Sequence, residues 1–352
     1  PSKKSIFSRE GATMSEPLRL TIASKGSYEE ATLRFLESAG LSVWRPNPRQ
    51  YVGRLSGVEG VEVLFQRTAD IVHQVASGGA DLGITGYDLV AELAGDDPNV
   101  LVVIDDLGFR RCELVLAVPE SWLDITTISD LADLAVEWKR QGRTLRVATK
   151  FPNLTREFLL RNGVNYFTLV EGHGALEVAP ALGYADLIAD LTETGVTLRE
   201  NRLRVLEGGV ILRAQACLIA CRRTLRQAPE KLERARLIIE MIEARLRSRR
   251  YRLVTANVQG RDEEDVVRHV TAHVATTGEL GPTVARVYPK SGDTRCGWYE
   301  VTIIVPAHLL MQAVDHLRLA GSTGITVTSP DYVFDSRSHA FDRLCRALEE
   351  PI

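Results

Sequence analysis

The sequence predicts an α/β protein built as two lobes with a cleft between them, followed by a smaller unit of βαββαβ order. Three observations predict it. Short Val-, Ile- and Leu-rich runs alternate with helical patterns through about 18–120 and again through 145–190. One long charged helix then interrupts, over about 229–250. Beyond it the alternation restarts in a different order. At 352 residues the chain is also longer than the roughly 250–300 residues at which single cores stop growing, so several domains are expected.

Each element has its own signal. LRLTIAS (18–24) is a strand-like run ending at Lys25-Gly26, and the helical pattern after it closes at Gly40, a residue suited to a helix C-terminus. VEVLFQ (61–66) is a strand, and a helix runs from Thr68 to Gly78-Gly79. DLGIT (81–85), LVVID (101–105) and CELVLAVP (112–119) are further strands, and Ile128 to Arg140 is a helix. The second block repeats the scheme. LRVAT (145–149), YFTLV (166–170) and DLIADL (186–191) are strands, separated by helices at Leu154–Arg161 and Ala175–Leu182. GVILRAQACLIACRR (209–223) holds two strand-like runs. In the long helix Leu232, Ala235, Ile238, Ile239, Ile242 and Leu246 recur at three- and four-residue spacing and mark one buried face. RLVTANV, Asp262–Val274, TVARVYP, YEVTIIVP, Ala307–Leu319 and GITVTSP then alternate as the ferredoxin-like split βαβ unit does.

Composition narrows the function classes. The chain is 45% hydrophobic and 25% charged with a net charge of −3, an ordinary globular balance without the basic excess of a nucleic-acid binder. No apolar run reaches the roughly 18–20 residues of a membrane span. The opening PSKKSIFSREGAT lacks the apolar centre of a secretory signal, and Met14 reads as a natural start, which points to the cytoplasm with a plastid as the alternative. Five cysteines without a CxxC pair argue against a zinc site or a disulfide framework.

The candidate chemistry lies at turns. EGHG (171–174) joins a strand to a helical pattern. Gly172 and Gly174 allow a close approach to the backbone, and the free N–H groups that follow favour an anion. Read alone, the stretch fits an ordinary strand-to-helix turn equally well, and it is neither GxGxxG nor a Walker A loop. His173 lacks a partner at metal-ligand spacing. Asp186 and Asp190 share one face if DLIADL is a strand, where carboxylates can hold ribose hydroxyls or a phosphate-bound magnesium ion; a helix-capping or turn role is the other reading. Lys25-Gly26, Arg67 and Thr85-Gly86 close three successive strands, where open α/β sheets bind ligands, and together they favour a polyanion.

These residues resemble a known family, the long form of ATP phosphoribosyltransferase from histidine biosynthesis. The matching pieces are SKG (24–26), FQRTADI (65–71), ADLGITGYDLV (80–90), RVATKFPNL (146–154), GALEVAPALGYADLIADL (174–191) and TGVTLREN (194–201). NPRQYV (47–52) and LEGGVIL (206–212) look most like its plant-type branch. The resemblance implies transfer of the 5-phosphoribosyl group from 5-phosphoribosyl diphosphate to N1 of ATP with magnesium, on a type II periplasmic-binding-protein-like region. It also implies a C-terminal ACT-like domain that binds histidine as inhibitor.

The resemblance further implies roles for residues. Lys25, Arg67, Asp186 and Asp190 would be catalytic, with Asp190 also facing the metal. Lys25, Gly26, Glu171, Gly172, His173, Gly174, Ala175, Leu176, Glu177, Thr192 and Thr194 would hold phosphoribosyl diphosphate, its 5-phosphate on the N–H groups of Gly174, Ala175 and Leu176. Thr85, Gly86, Leu107, Gly108, Arg111, Cys112, Thr149, Pro152 and Asn153 would meet ATP. Asn257, Gly281, Pro282 and Thr283 would meet histidine. Ser27 and Glu113 depart from arginines common in the family, and His173 from a smaller polar residue; Arg110 and Arg111 are placed to restore charge. The expected layout is a disordered arm or tag (1–17), lobe I (18–120 with 205–225), lobe II (121–204), a linking helix (226–250) and the ACT-like domain (251–352), assembled as a homohexamer with dimers as the building unit. The competing readings are a solute-binding-like protein and a regulatory paralogue without catalysis.

Overall fold

A computed structural model of the protein describes residues 16–47, 49–172, 174–278, 281–288 and 297–350. The chain forms two compact units. One comprises the residues through Arg236 together with those from Arg343; the other is Leu237–Asp342.

The first unit holds two sheets. The seven-stranded sheet runs in the order Val43–Trp44, Val52–Leu55, Val61–Gln66, Leu18–Ala23, Leu82–Gly86, Ala216–Cys221 and Val100–Ile104. Its central strands from the first half of the chain are parallel, and Ala216–Cys221 is antiparallel to both neighbours. Central strands covered on both faces should be apolar throughout. Accordingly Leu18, Leu20, Ile22 and all of Ala216–Cys221 are buried. Helix Thr68–Ser77 presses Ile71, Val72 and Val75 against Cys217, Ile219 and Cys221.

The five-stranded sheet runs Leu203–Ala214, Cys112–Pro119, Leu187–Thr192, Leu145–Thr149 and Phe167–Glu171. This corrects the lobe boundaries expected at 120 and 205. Cys112–Pro119 pairs antiparallel with both Leu187–Thr192 and Leu203–Ala214, so it belongs to the second lobe. Periodicity reports that a run is a strand; it carries no information about which sheet receives it. Along this strand Leu116 and Val118 face one core, with Leu131, Ala135 and Leu159, while Val115 and Ala117 face the other, with Leu176 and Ile188. Helix Ile128–Arg140 begins at a capping box, with Thr127 and Asp130 each satisfying the other's backbone N–H. The chain crosses between sheets twice, through Asp105–Arg111 and through the single residue Gln215.

The second unit contains Tyr251–Gly260, Thr283–Val287, Gly297–Pro306 and Thr323–Thr328 with helices Glu263–Thr271 and Leu310–Leu319. Its strands pair antiparallel throughout, with Tyr251–Gly260 between Gly297–Pro306 and Thr323–Thr328, which is the ferredoxin-like arrangement. Val254, Ala256 and Val258 meet Val266, Val270, Ala313 and Leu317 in its core. The linking helix is Pro229–Ser248. From Arg343 onward, the final helix His339–Glu349 clusters with the first unit, so the C-terminal domain ends short of the 352 expected for it.

Candidate functional site

Strand register determines which residues meet. In the first sheet parallel pairing aligns Ala23 with Gln66 and Thr21 with Gly83. Lys25, Arg67 and Gly86 therefore leave one edge together. Lys25 and Arg67 are exposed immediately before the helices Gly26–Ser38 and Thr68–Ser77, neither of which has a side-chain N-cap. Among the described residues neither cation has an ion-pair or side-chain hydrogen-bond partner. Gly26 adopts φ 73 with nothing near its Cβ position, so glycine is needed there for backbone conformation. Thr85 is buried, its hydroxyl donates to the Thr68 carbonyl at 3.1 Å, and its own carbonyl accepts the Cys217 thiol at 3.5 Å, so both groups are engaged within the protein.

In the second sheet Thr149 pairs in parallel with both Glu171 and Ala189. Its edge thus gathers Lys150, the turn Gly172–Leu176 and the segment Asp190–Thr194. The helix expected over 175–182 is a 3-10 turn, Leu176–Val178, followed by Ala179–Leu182. Among the described residues nothing accepts the N–H of Gly174, Ala175 or Leu176. His173 lies outside the described residues. Gly172 is buried, and a Cβ there would stand 1.9 Å from Leu176 Cδ2. Gly174 and Ala175 are exposed, Leu176 is buried, and Glu171 closes its strand on the surface.

Asp190 and Asp186 part company. Asp186 precedes the strand Leu187–Thr192 at its amino end, where it accepts the Arg146 N–H at 2.8 Å and pairs with the Arg146 guanidinium at 2.9 Å. Four residues of strand separate it from Asp190 by about 13 Å. Sharing a face does not bring the two carboxylates to one site, so Asp186 is a clip at the far edge of the sheet and away from any ribose held here. Asp190 sits at the carboxyl end. Burial raises its carboxyl above the ordinary value, the Leu191 N–H and Lys150 pull it back, and the negative charge of Glu177 raises it again.

The crossing segment ties the edges together. Leu107 is buried and donates its N–H to the Ala216 carbonyl at 2.9 Å, Gly108 turns at φ 77, and Phe109 packs on Phe35 at 5.3 Å. Arg110, at φ 57, places Nη1 2.9 Å from Glu193 Oε1 and 3.5 Å from Ser27 Oγ. Arg111 turns away to Asp106 at 2.8 Å, and Glu113 is neutralised by Arg213 at 2.9 Å. Burial pushes the Cys112 thiol up to about 11, which keeps it protonated and non-nucleophilic at neutral pH.

Two of the expected nucleotide contacts are already engaged within the protein. The Thr149 hydroxyl is buried, accepts the Phe151 N–H at 2.9 Å and lies 3.2 Å from the Thr155 hydroxyl. Pro152 opens helix Pro152–Arg161, whose N–H groups at Asn153 and Leu154 donate to the two oxygens of buried Glu92 at 2.9 and 3.0 Å. Glu92 belongs to the first lobe and the helix to the second.

Sequence reasoning missed Lys150 and Glu193, and it noted Arg110 only as a nearby charge. Lys150 carried a usable signal, since it follows its strand as Lys25 and Arg67 follow theirs. The turn after Leu187–Thr192, where Thr192 and Thr194 were expected to hold phosphoribosyl diphosphate, is closed by its own hydrogen bond. There the Thr192 hydroxyl accepts the Gly195 N–H at 2.8 Å, Gly195 adopts φ 71, and among the described residues nothing accepts the N–H groups of Val196 and Thr197. Thr194 is exposed on that turn.

In the second unit, Thr283 pairs with Thr302 and Thr302 with Thr255, two residues before Asn257. Asn257 and Thr283 thus share the sheet face opposite the helices. Gly281 at φ 117 and Pro282 lead into that strand.

Residues 67–248 match the family described as ATP phosphoribosyltransferase, and residues 248–330 match the one described as HisG, C-terminal domain. The chain belongs to the ATP phosphoribosyltransferase family. Among its relatives, "ATP phosphoribosyltransferase 2, chloroplastic" of Arabidopsis thaliana is 38% identical over 95% of this chain and 81% of its own length. "ATP phosphoribosyltransferase" of Bradyrhizobium sp. (strain ORS 278) is 39% identical over 94% of this chain and 98% of its own. A solved ATP phosphoribosyl transferase (HisG:HisZ) complex from Thermotoga maritima is 26% identical, with a TM-score of 0.48, over 64% of this chain and 98% of that one. Family membership in both parts makes this a long-form transferase. No helix among the described residues is long and apolar enough to cross a membrane.

Proposed function

We propose that the phosphoribosyl transfer of this family takes place where the carboxyl edges of the two sheets of the first unit meet. The reaction moves the 5-phosphoribosyl group from 5-phosphoribosyl diphosphate to N1 of ATP. The C1–O bond breaks with its electron pair leaving on pyrophosphate, and the N1 lone pair forms the new C1–N1 bond. The sugar carbon becomes cation-like while negative charge collects on the leaving group, so catalysis rests on positioning and on cations aimed at the departing phosphates. One observation supports this reading above the others: Lys25, Arg67 and Lys150 all stand exposed just beyond strand ends, with Arg110 in contact with the first turn of helix Gly26–Ser38 in one lobe and with the turn at Glu193 in the other.

In this reading Lys25, Gly26 and Arg67 face pyrophosphate. The N–H groups of Gly174, Ala175 and Leu176, with the turn Thr192–Gly195, hold the 5-phosphate. Gly86, Leu107, Gly108 and Cys112 contact the nucleotide. Thr149, Pro152 and Asn153 act through the shape of their turn, since the Thr149 hydroxyl and the Asn153 N–H are engaged elsewhere. Magnesium fits the residues present. The half-buried Asp190 feels the negative charge of Glu177, a repulsion a divalent cation would relieve. No cluster of three metal-ligating side chains occurs among the described residues, as suits an ion that arrives on its substrate's phosphates and keeps several waters. Asp190 and Glu177 would hold it, and it would neutralise charge on the leaving pyrophosphate.

Histidine is proposed as an inhibitor at Asn257, Gly281, Pro282 and Thr283, and a homohexamer built from dimers as the assembly. The compartment proposed is the cytoplasm, with a plastid as the second reading because the Arabidopsis relatives carry "chloroplastic" in their names. The deciding experiment follows pyrophosphate release from ATP and 5-phosphoribosyl diphosphate with magnesium. Steady turnover is expected, and binding of both substrates without turnover would overturn the proposal.

A further inference from the structure

The geometry points to Arg110 as a further pyrophosphate-facing cation of this chain, beside Lys25 and Arg67, with its partner Glu193 as a latch that the substrate's phosphates replace. This rests on the transferase reading above.

Arg110 is singular in its placement. It lies on the crossing segment between the lobes, and its neighbours anchor that segment to the first lobe. The Phe109 carbonyl accepts the Ala216 N–H at 3.1 Å, and the Phe109 ring packs on Tyr28 and Phe35 at 6.2 and 5.3 Å. The guanidinium then reaches outward, 5.6 Å from the Tyr28 ring centroid, to Ser27 just beyond one strand end and to Glu193 just beyond another. A non-glycine residue at φ 57 is uncommon, and such conformations persist where surrounding contacts hold them, often at ligand clamps. Of the other arginines near this edge, Arg111 and Arg213 are paired with Asp106 and Glu113. Arg110 reaches from the start of helix Gly26–Ser38 to the turn after Leu187–Thr192.

The pair with Glu193 is built to be exchanged. Both side chains are substantially exposed, at 38% and 53%, so solvent screens the attraction and the pair is weak. A pyrophosphate offers the same guanidinium two or more charged oxygens in bidentate geometry, a stronger partner than one carboxylate oxygen. Binding would therefore free Glu193 and recruit Arg110 without moving the backbone that carries it. The Ser27 hydroxyl lies 3.5 Å from Nη1, so a longer cationic side chain at 27 would place charge in the same space.

The test is steady-state kinetics with both substrates on the full-length chain, with wild type alongside. Wild-type turnover establishes the transferase reading independently of the variants. Arg110→Gln should lower kcat/KM for phosphoribosyl diphosphate on the order of 100-fold, about the cost of losing one charged donor to a developing anion. The loss should be larger than that for ATP, and Arg110→Lys should recover part of it. Ser27→Arg combined with Arg110→Gln should regain at least about tenfold, a rescue that a merely structural role would not permit. Glu193→Gln should lower KM for phosphoribosyl diphosphate by about two- to fivefold, the factor an exposed ion pair of this kind is worth. Arg110→Gln within about twofold of wild type overturns the inference. So does an unfolded Arg110→Gln with a normally active Arg110→Lys and no KM change in Glu193→Gln. A folded, impaired Arg110→Gln that Ser27→Arg leaves impaired also overturns it, because the charge would then be wanted somewhere other than beside residue 27.

Discussion

Glu92→Ala should loosen the two lobes at a point outside the reacting groups. Glu92 is 5% exposed, and its two oxygens accept the N–H groups of Asn153 and Leu154 at 2.9 and 3.0 Å. Its backbone carbonyl takes Asn153 Nδ2 at 3.1 Å, so that contact survives the substitution. A hydrogen bond to a charged acceptor contributes about 1.5–3 kcal/mol, and a buried donor left unpaired costs about 1–3 kcal/mol. Asn153 is exposed, so water can replace one of the two bonds; Leu154 is half-buried and offers poorer access. The expected loss is therefore roughly 2–4 kcal/mol, short of two full charged bonds. For a unit of this size each kcal/mol moves the thermal midpoint about 2–4 °C, which gives a fall of roughly 5–12 °C at fixed protein concentration. Glu92→Gln keeps one acceptor and should lose about half as much. Hydrogen exchange at the Asn153 and Leu154 amides supplies a local readout and should accelerate in Glu92→Ala. A midpoint within about 2 °C of wild type, with those amides still protected, would refute the assignment of this carboxylate as a cap between lobes.

Three further outcomes follow from the site. Folding raises the Asp190 carboxyl above 3.8, so the folded chain binds the extra proton. Stability then falls as pH rises from the unfolded value through the folded one, and the cost is constant above that window. Asp190→Asn should accordingly raise the melting temperature at pH 7 but not at pH 3, while impairing turnover; equal shifts at both pH values would refute the burial argument. Gly172→Ala drives a methyl into Leu176 and should cost about 1–3 kcal/mol in urea unfolding, together with a raised KM for phosphoribosyl diphosphate. Asn257→Ala and Thr283→Ala should weaken histidine inhibition by about tenfold or more, the loss of one or two polar contacts, without lowering uninhibited turnover; undiminished inhibition in both would remove histidine from that sheet face.

How far the sequence could be read depended on the range of the physics involved. Strands such as Leu18–Ala23 and Leu187–Thr192 were legible because burial on both faces demands apolar runs, a local property. The βαββαβ order was legible from a different local property, since strands such as Gly297–Pro306 are covered on one face only and alternate buried with less buried residues. Sheet membership was not. Ala214 and Ala216 are separated by one residue, yet their strands lie in different sheets, and nothing in RAQACL records the change. The two aspartates show the same limit. Period two correctly gives them one face, but which end of the strand meets the ligand follows from chain direction and from the neighbour on either side, so only Asp190 reaches the site. Arg110 was visible as a nearby charge; its contact with Ser27, 83 positions earlier in the chain, follows from the backbone turn at φ 57 and the folding of the crossing segment.

Partnership, more than identity, sorts the charges of this chain. A cation that already has a carboxylate contributes little to binding a phosphate, since the new attraction must replace the old one. Arg146 is committed to Asp186, Arg213 to Glu113 and Arg111 to Asp106, each at 2.8–2.9 Å. Among the described residues Lys25, Arg67 and Lys150 project beyond strand ends without an ion-pair partner, although Lys150 acts on Asp190 through space, and the ion-pair partner of Arg110 is the exposed Glu193. The departures at Ser27 and Glu113 are therefore smaller than they look in sequence. Arg213 cancels the charge of Glu113, and the guanidinium of Arg110 already lies beside Ser27. A substrate carrying several phosphate charges would find its uncommitted cations beyond the carboxyl ends of strands in both sheets of the first unit, and electrostatic attraction falls off over about 8–10 Å at ordinary salt. If that reasoning holds, raising salt should weaken phosphoribosyl diphosphate binding to wild type more than to Arg110→Gln, because the variant has one fewer charge to screen.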